Sequence, residues 1–238
     1  MDDRTGVLLS LAQAMARQSQ TDPLPHRLCR SATLVLGADG GAITIAYSSE
    51  DRVTLCVTDG SAARLEDLQD VLGEGPGHTA YRTGTQVLAI VGAGDARWPQ
   101  FDASASEAFG KLGVHAIPIR PDHRTLGVLT CHLPPANELL LSPRMVQFLA
   151  DAVGVALLRD PEAHETETDD YRSPWASRSR IHQATGMVVA QLGIDTGDAL
   201  VLLRAHAFAQ GTALDDIAEA VVGRVLDLSG IDSGSAGS

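Results

Sequence analysis

Basic residues are scarce in this chain. Its 238 residues include eighteen lysines and arginines, only one of them lysine, against thirty aspartates and glutamates, for a formal charge of −12. So acidic a balance argues against non-specific nucleic-acid binding, DNA included, and against attraction to an anionic membrane surface. Cysteine is nearly absent. Cys29, Cys56 and Cys131 sit at no metal or redox spacing, as expected of a reducing compartment. No apolar run approaches the roughly 20 residues that a membrane helix needs, and the acidic start Met1-Asp2-Asp3 is no basic-then-apolar leader. These absences give the expectation of a cytoplasmic protein without a membrane partner. His78, His115, His123 and His132 match no ligand spacing, so neither a metal nor a cofactor is expected.

What is present is apolar content of 44%, ample for real cores in one large or two modest domains. Residues 5–20 have helical spacing, with Val7, Leu8, Leu11, Ala12 and Met15 on one side. Asp22-Pro23 opens a second helix through Leu24, Leu28, Ala32 and Val35 that Gly37 ends. Gly41–Tyr47 and Arg52–Val57 alternate as strands around a Ser48–Asp51 hairpin. A short helix over Leu65–Leu72 leads to GEGPGHTAYRTGTQV, Gly73 to Val87, where glycines around Pro76 require a tight loop. Two readings of that loop stand: a phosphate cradle, which lacks the lysine of a P-loop, and a turn that shapes the sheet edge. One or two helical turns over His78–Arg82, a strand Gln86–Val91, a helix Ala103–Lys111, a hairpin of Val114–Arg120 with Thr125–Leu133, and a helix Pro143–Leu158 complete an α+β layered domain.

GEGP-x-x-TAYRTG, Arg97-Trp98-Pro99-x-Phe101, and Gly113-Val-His-Ala-x-Pro followed by Leu126-Gly127-Val128-Leu129 resemble GAF domains of actinobacterial type. The resemblance spans residues 5–159. It implies a six-stranded antiparallel sheet with flanking helices, a pocket over one sheet face, a sensory role for a small-molecule or protein signal, and pairing of terminal helices into a homodimer. Apolar residues beyond those one sheet face needs, including Leu9, Val153, Val155, Leu157 and Leu158, agree with a helical dimer interface. The pattern of cyclic-nucleotide GAF domains is missing, so the ligand is unknown. Some GAF domains use paired cysteines as redox catalysts; for Cys131 that reading stands beside one as a small buried core residue.

Residues 160–171 form an acidic linker: Asp160–Asp170 holds six acidic residues and no lysine or arginine, a run that repels itself. Residues 172–228 then read as three short helices. Ser173-Pro174 opens the first and Gly193 ends it; Asp195 with Asp198 caps the second and Gly211 closes it; Thr212 with Asp215 caps a third that fades near Leu228. The apolar positions are Ile181, Ala184, Val188 and Leu192, then Ala199, Leu202, Leu203 and Ala207, then Leu214, Ile217, Val221 and Val225. Residues 229–238, rich in glycine and serine, read as a disordered tail.

R-I-x-Q-A-x-G-M-V-x-A, D-A-x-x-L-L-R and L-x-D-I-A-E, in this order, resemble the ANTAR domain, a three-helix RNA-binding module of transcription antiterminators. The resemblance implies binding to hairpin loops of structured leader RNA, with Arg178, Arg180, His182, Gln183, Thr185, Gly186 and Arg204 as candidate contacts. Where the family often has a lysine before the glycine of the first helix, this chain has Thr185. Tyr171–Ser238 carries five arginines against seven acidic residues, a net charge of −2, so phosphate attraction rests on a local arginine patch. Gly186 has two readings: a close helix crossing, or access for an RNA backbone. The expected function is an antitermination regulator without catalytic activity. The alternative is a signalling or scaffold protein whose helical domain binds a protein partner.

Overall fold

The computed structural model describes residues 3–46, 52–122, 124–159 and 174–228. The Ser48–Asp51 turn, His123, the acidic stretch 160–171 and the tail 229–238 therefore lie outside the described residues. The chain divides into two compact units, one holding the strands and the other the last three helices.

In the first unit the order is α1 (Arg4–Ala16), α2 (Leu24–Leu36), β1 (Gly40–Ala46), β2 (Arg52–Val57), α3 (Gly60–Leu72), α4 (Pro76–Thr83), β3 (Val87–Val91), α5 (Pro99–Phe109), β4 (Leu112–Ile119), β5 (Gly127–Leu133) and α6 (Pro143–Leu158). The strands form one antiparallel sheet in the order β2-β1-β5-β4-β3. It has five strands among the described residues, not the six that the GAF resemblance implies. Beyond β3 the chain turns away, because the amides of Gly92 and Gly94 both donate to the Asp102 carboxylate at 2.9 and 3.0 Å. That anchors the connection to α5 and leaves no further strand at this edge.

Alternation along the strands divides the sheet into two faces. Ile43, Ile45, Ile117, Ile119, Leu129 and Cys131 pack with Val7, Leu28, Leu36, Leu149 and Val153 of α1, α2 and α6 in one core. On α1 the buried position is Ala14 rather than Ala12, and Leu8 is exposed. The opposite face is covered by α4 and α5, with Phe101 and Trp98 buried. Two helices begin earlier than their periodicity suggests, and for the same reason: a distant or local carboxylate satisfies their first amides. Asp59 accepts from Ala62 N at 2.8 Å and starts α3 at Gly60. Glu74 accepts from Gln100 N and Phe101 N at 2.7 and 2.8 Å and starts α5 at Pro99.

The second unit comprises α7 (Pro174–Leu192), α8 (Thr196–Gln210) and α9 (Leu214–Val222). The chain bends by 108° between α7 and α8. Asp195 caps α8 by accepting from Asp198 N at 2.9 Å, and Gly193 and Gly211 end their helices in the left-handed region as the spacing predicts. Ala184, Val188, Ala199, Leu203, Ala207, Ile217, Ala218 and Val221 form a core of mostly small residues that permits close crossings. The cap of α9 differs from expectation. Ala213 occupies the cap position and its N–H donates to Asp216 at 3.3 Å, while Asp215 is used elsewhere. The helix stops at Val222, so Val225 is 86% exposed instead of joining the core, and buried Leu228 returns to it. Among the described residues no single helix is long and apolar enough to cross a membrane.

Candidate nucleic-acid interface

Helix α7 buries Ala184, Thr185 and Val188 and exposes His182, Gln183, Gly186 and Ala190. The exposed positions 182, 186 and 190 recur every four residues and form one strip along the helix. A Cβ built on Gly186 would meet nothing within 4 Å. The close-crossing explanation of this glycine is therefore overturned: no part of the described chain approaches it. A mid-helix glycine still costs ~1 kcal/mol relative to alanine. Its smallness serves no packing inside the bundle, and it leaves the backbone open to something outside.

Thr185 lies on the other side. It is 4% exposed, and its hydroxyl donates to the Ile181 carbonyl at 2.7 Å one turn back. Its one donor is spent inside the helix and its body is packed in the bundle, so the expectation of an RNA contact at Thr185 is corrected.

Arg180 is engaged as well. Its Nε donates to Asp215 Oδ1 at 3.1 Å and its Nη2 to Oδ2, a fork against a carboxylate that ties α7 to α9. The hydrogen bond to Asp215, and then the charges of Asp215 and Glu219, outweigh desolvation and raise the guanidinium pKa further. Arg180 is thus a strut between helices, not the open cation expected from its place in the motif. Arg204 sits half-buried on α8. The side chain of Arg178 lies outside the described residues.

One feature of this surface escaped the sequence pattern. A depression of about 390 Å³ is lined by Met187, Ala190, Gln191, Arg224, Leu226 and Asp227. It shares Ala190 with the exposed strip, and Arg224 brings to it an exposed cation in the left-handed region, φ +57. The signal for Arg224 was available only as a basic residue directly after a helix-ending glycine.

In the sheet unit, the loop from Gly73 to Gly77 serves the fold. Gly77 N donates to Gln69 Oε1 at 2.6 Å, and a Cβ on Gly75 or Gly77 would collide with the Gln69 side chain. Gln69 in turn donates to Glu66, which accepts from Arg52 at 3.0 Å and from Thr44 at 2.9 Å. The Arg52 and Glu66 side chains are each only 2% exposed. This buried network and the Glu74 cap account for the loop, and the phosphate-cradle reading falls. Among the described residues no group of histidine, cysteine and carboxylate side chains could hold a metal. Cys131 is buried, and burial drives its thiol pKa far up, which disfavours the thiolate that redox chemistry requires.

A GAF domain model matches residues 23–157, more than half of the chain, and an ANTAR domain model matches residues 170–222. The chain is a GAF and ANTAR domain protein. GAF domains are sensory modules and ANTAR domains are RNA-binding antiterminator modules, regulatory rather than catalytic. No curated protein matches the chain. Among solved structures, it is similar to the nlh2 GAF domain of A. aeolicus in an inactive state, at 13% identity and a TM-score of 0.45, covering 66% of this chain and 97% of that one. It is also similar to the chromophore-binding domain of the bacteriophytochrome RpBphP3 from R. palustris, at 11% identity and a TM-score of 0.39, covering 66% and 62%. A third is the Stigmatella aurantiaca phytochrome photosensory core module, at 10% identity and a TM-score of 0.39, covering 84% and 45%.

Proposed function

We propose that this GAF and ANTAR domain protein is a cytoplasmic transcription antitermination regulator. In this reading the α7 strip meets hairpin loops of a structured leader RNA, and the GAF unit supplies sensing and homodimerisation. The observation that supports it most directly is Gly186, an exposed mid-helix glycine with open space around it, inside the matched ANTAR segment. RNA of this kind is read through unpaired bases and phosphates. His182 and Gln183 offer polar groups for base edges, Gly186 and Ala190 let a backbone approach, and Arg204, Arg224 and Arg178 are the cations near enough in sequence to serve the phosphates. Thr185 and Arg180 are left to hold the bundle. Leu9 on α1 and Val155 and Leu158 on α6 are exposed and support pairing through the terminal helices, whereas Val153 and Leu157 are buried in the sheet core and take no part in it.

The test separates stability from binding. Gly186→Ala adds a methyl group into open space, so the bundle gains up to about 1 kcal/mol of stability. The same methyl group obstructs the RNA backbone, and affinity for hairpins recovered by crosslinking in cells falls. A variant that melts higher yet binds those hairpins like the wild type sinks the assignment. A protein partner is the second reading, favoured by Val201 and Phe208, 59% and 54% exposed and two turns apart on α8. Loss of function in Phe208→Ser with RNA affinity intact would select it.

A further inference from the structure

A cleft of about 570 Å³ opens on the GAF unit where α1, the α4–β3 connection, the end of β4 and the first half of α6 meet. Three arginines line it, Arg4, Arg120 and Arg144, with one carboxylate, Asp151. The local charge is +2 in a chain whose formal charge is −12. Asp151 does not neutralise the guanidinium groups. Its Oδ1 accepts from the Arg120 backbone N–H at 2.9 Å and from Gln147 Nε2 at 2.8 Å, both neutral donors.

Two of these arginines are placed by their surroundings without an ion pair. Arg120 Nη1 donates to the Gly84 carbonyl at 2.6 Å, which fixes the plane of its fork. Its Nε is buried without a hydrogen-bond partner, so the guanidinium faces the cleft through its remaining N–H groups. Arg4 lies 5.1 Å over the Phe148 ring, which pins a second guanidinium to the wall. Arg144 is exposed, and none of the three forms an ion pair with a described residue. Fixed forks match the oxygens of phosphate in a way that a lysine point charge does not. The cleft is shallow and open to solvent, so recognition rests on the arginines and not on enclosure.

We infer that this cleft binds a small phosphorylated anion, with Arg120 and Arg144 on the phosphoryl oxygens and Arg4 at the flank. The site does not rest on the RNA reading; it gives the sensory unit an input of defined chemistry. Phosphoryl oxygens also occur along RNA, so the experiment separates the two sources.

The full chain is titrated with inorganic pyrophosphate by calorimetry, with ionic strength held constant by sodium chloride. Saturable binding with one site per chain is expected. A charge-assisted hydrogen bond predicts that R144Q lowers the affinity about tenfold or more. R82Q, which removes an exposed arginine at the end of α4 outside the cleft, binds as the wild type does. R120Q is expected to be weaker than R144Q; should it fail to fold, R144Q and R4Q decide. Absence of saturable binding overturns the proposal, and so does equal affinity in the wild type, R144Q and R4Q. Loss of crosslinked-hairpin binding in R144Q without any pyrophosphate binding in the wild type also overturns it and assigns the arginines to RNA.

Discussion

The two units of this protein use arginine in opposite settings. In the GAF unit Arg52 is sealed on the sheet with Glu66, and the pair is held by Thr44 and Gln69. In the helical unit Arg180 makes the same kind of pair with Asp215, but near solvent, with side chains 15% and 32% exposed. The chemistry is alike and the energetics are not. In the interior each partner's desolvation is repaid only while the other remains, whereas at the surface water substitutes for a lost partner. The comparison teaches that an arginine inside a family motif is not thereby a contact: its neighbours decide whether its charge is spent.

The largest expected effect tests the buried pair. Glu66→Ala takes away the buried carboxylate that Arg52, Thr44 and Gln69 share and should cost about 3–5 kcal/mol in chemical denaturation followed through the buried Trp98. The double variant Arg52→Met with Glu66→Leu removes both charges at similar volume, and its stability should return close to wild type. If the double variant is as damaged as the single, the network does more than balance charge. The surface pair provides the contrast. Arg180→Ala and Asp215→Ala should each lower stability by at most about 1 kcal/mol, measured as the melting of the helical unit, and the double variant should add little. Hairpin affinity at a temperature where both variants are folded should stay near wild type. A large loss in Arg180→Ala alone would return Arg180 to the RNA contacts.

The smallest effect concerns pH. His132 Nε2 lies 3.1 Å from Asp59 Oδ2, across from the start of α3. Burial alone raises the Asp59 pKa, but hydrogen bonds from Ala62 N–H, Thr58 and His132, with the charge of His132, outweigh it and hold the carboxyl below its usual range. A depressed carboxyl stabilises the fold above its unfolded value of about 3.9, and that contribution is lost as pH falls through the lower folded value. Between about pH 5 and pH 3 the wild type should therefore lose more stability than Asp59→Asn in parallel denaturant titrations. Identical slopes would mean that Asp59 contributes only its cap hydrogen bond.

Much of the fold was legible because it is local. Apolar spacing, proline at first turns and glycine past helix ends placed β2 and α6 at their observed limits, and set α8 between Asp195 and Gly211. Where the reading missed, a carboxylate had intervened, local for α3 and α9 and remote in other places. Glu74 extends α5, and Asp102 captures the turn that ends the sheet at β3. The candidate site divides in the same way. His182, Gln183 and Gly186 lie exposed on α7. Thr185 and Arg180 do not serve as open contacts, because a backbone carbonyl and Asp215 had already claimed them.

Sequence by itself determined the two-domain character through the periodicity of its elements, and the regulatory class through its likeness to GAF and ANTAR domains. Only tertiary structure decided which charges are spent. It buried Arg52 against Glu66, paired Arg180 with Asp215, and left Arg4, Arg120 and Arg144 around one cleft from distant parts of the chain. The physical reason is that an ion pair depends on distance in space and on exclusion of water, and neither quantity is written in the spacing of residues along the chain.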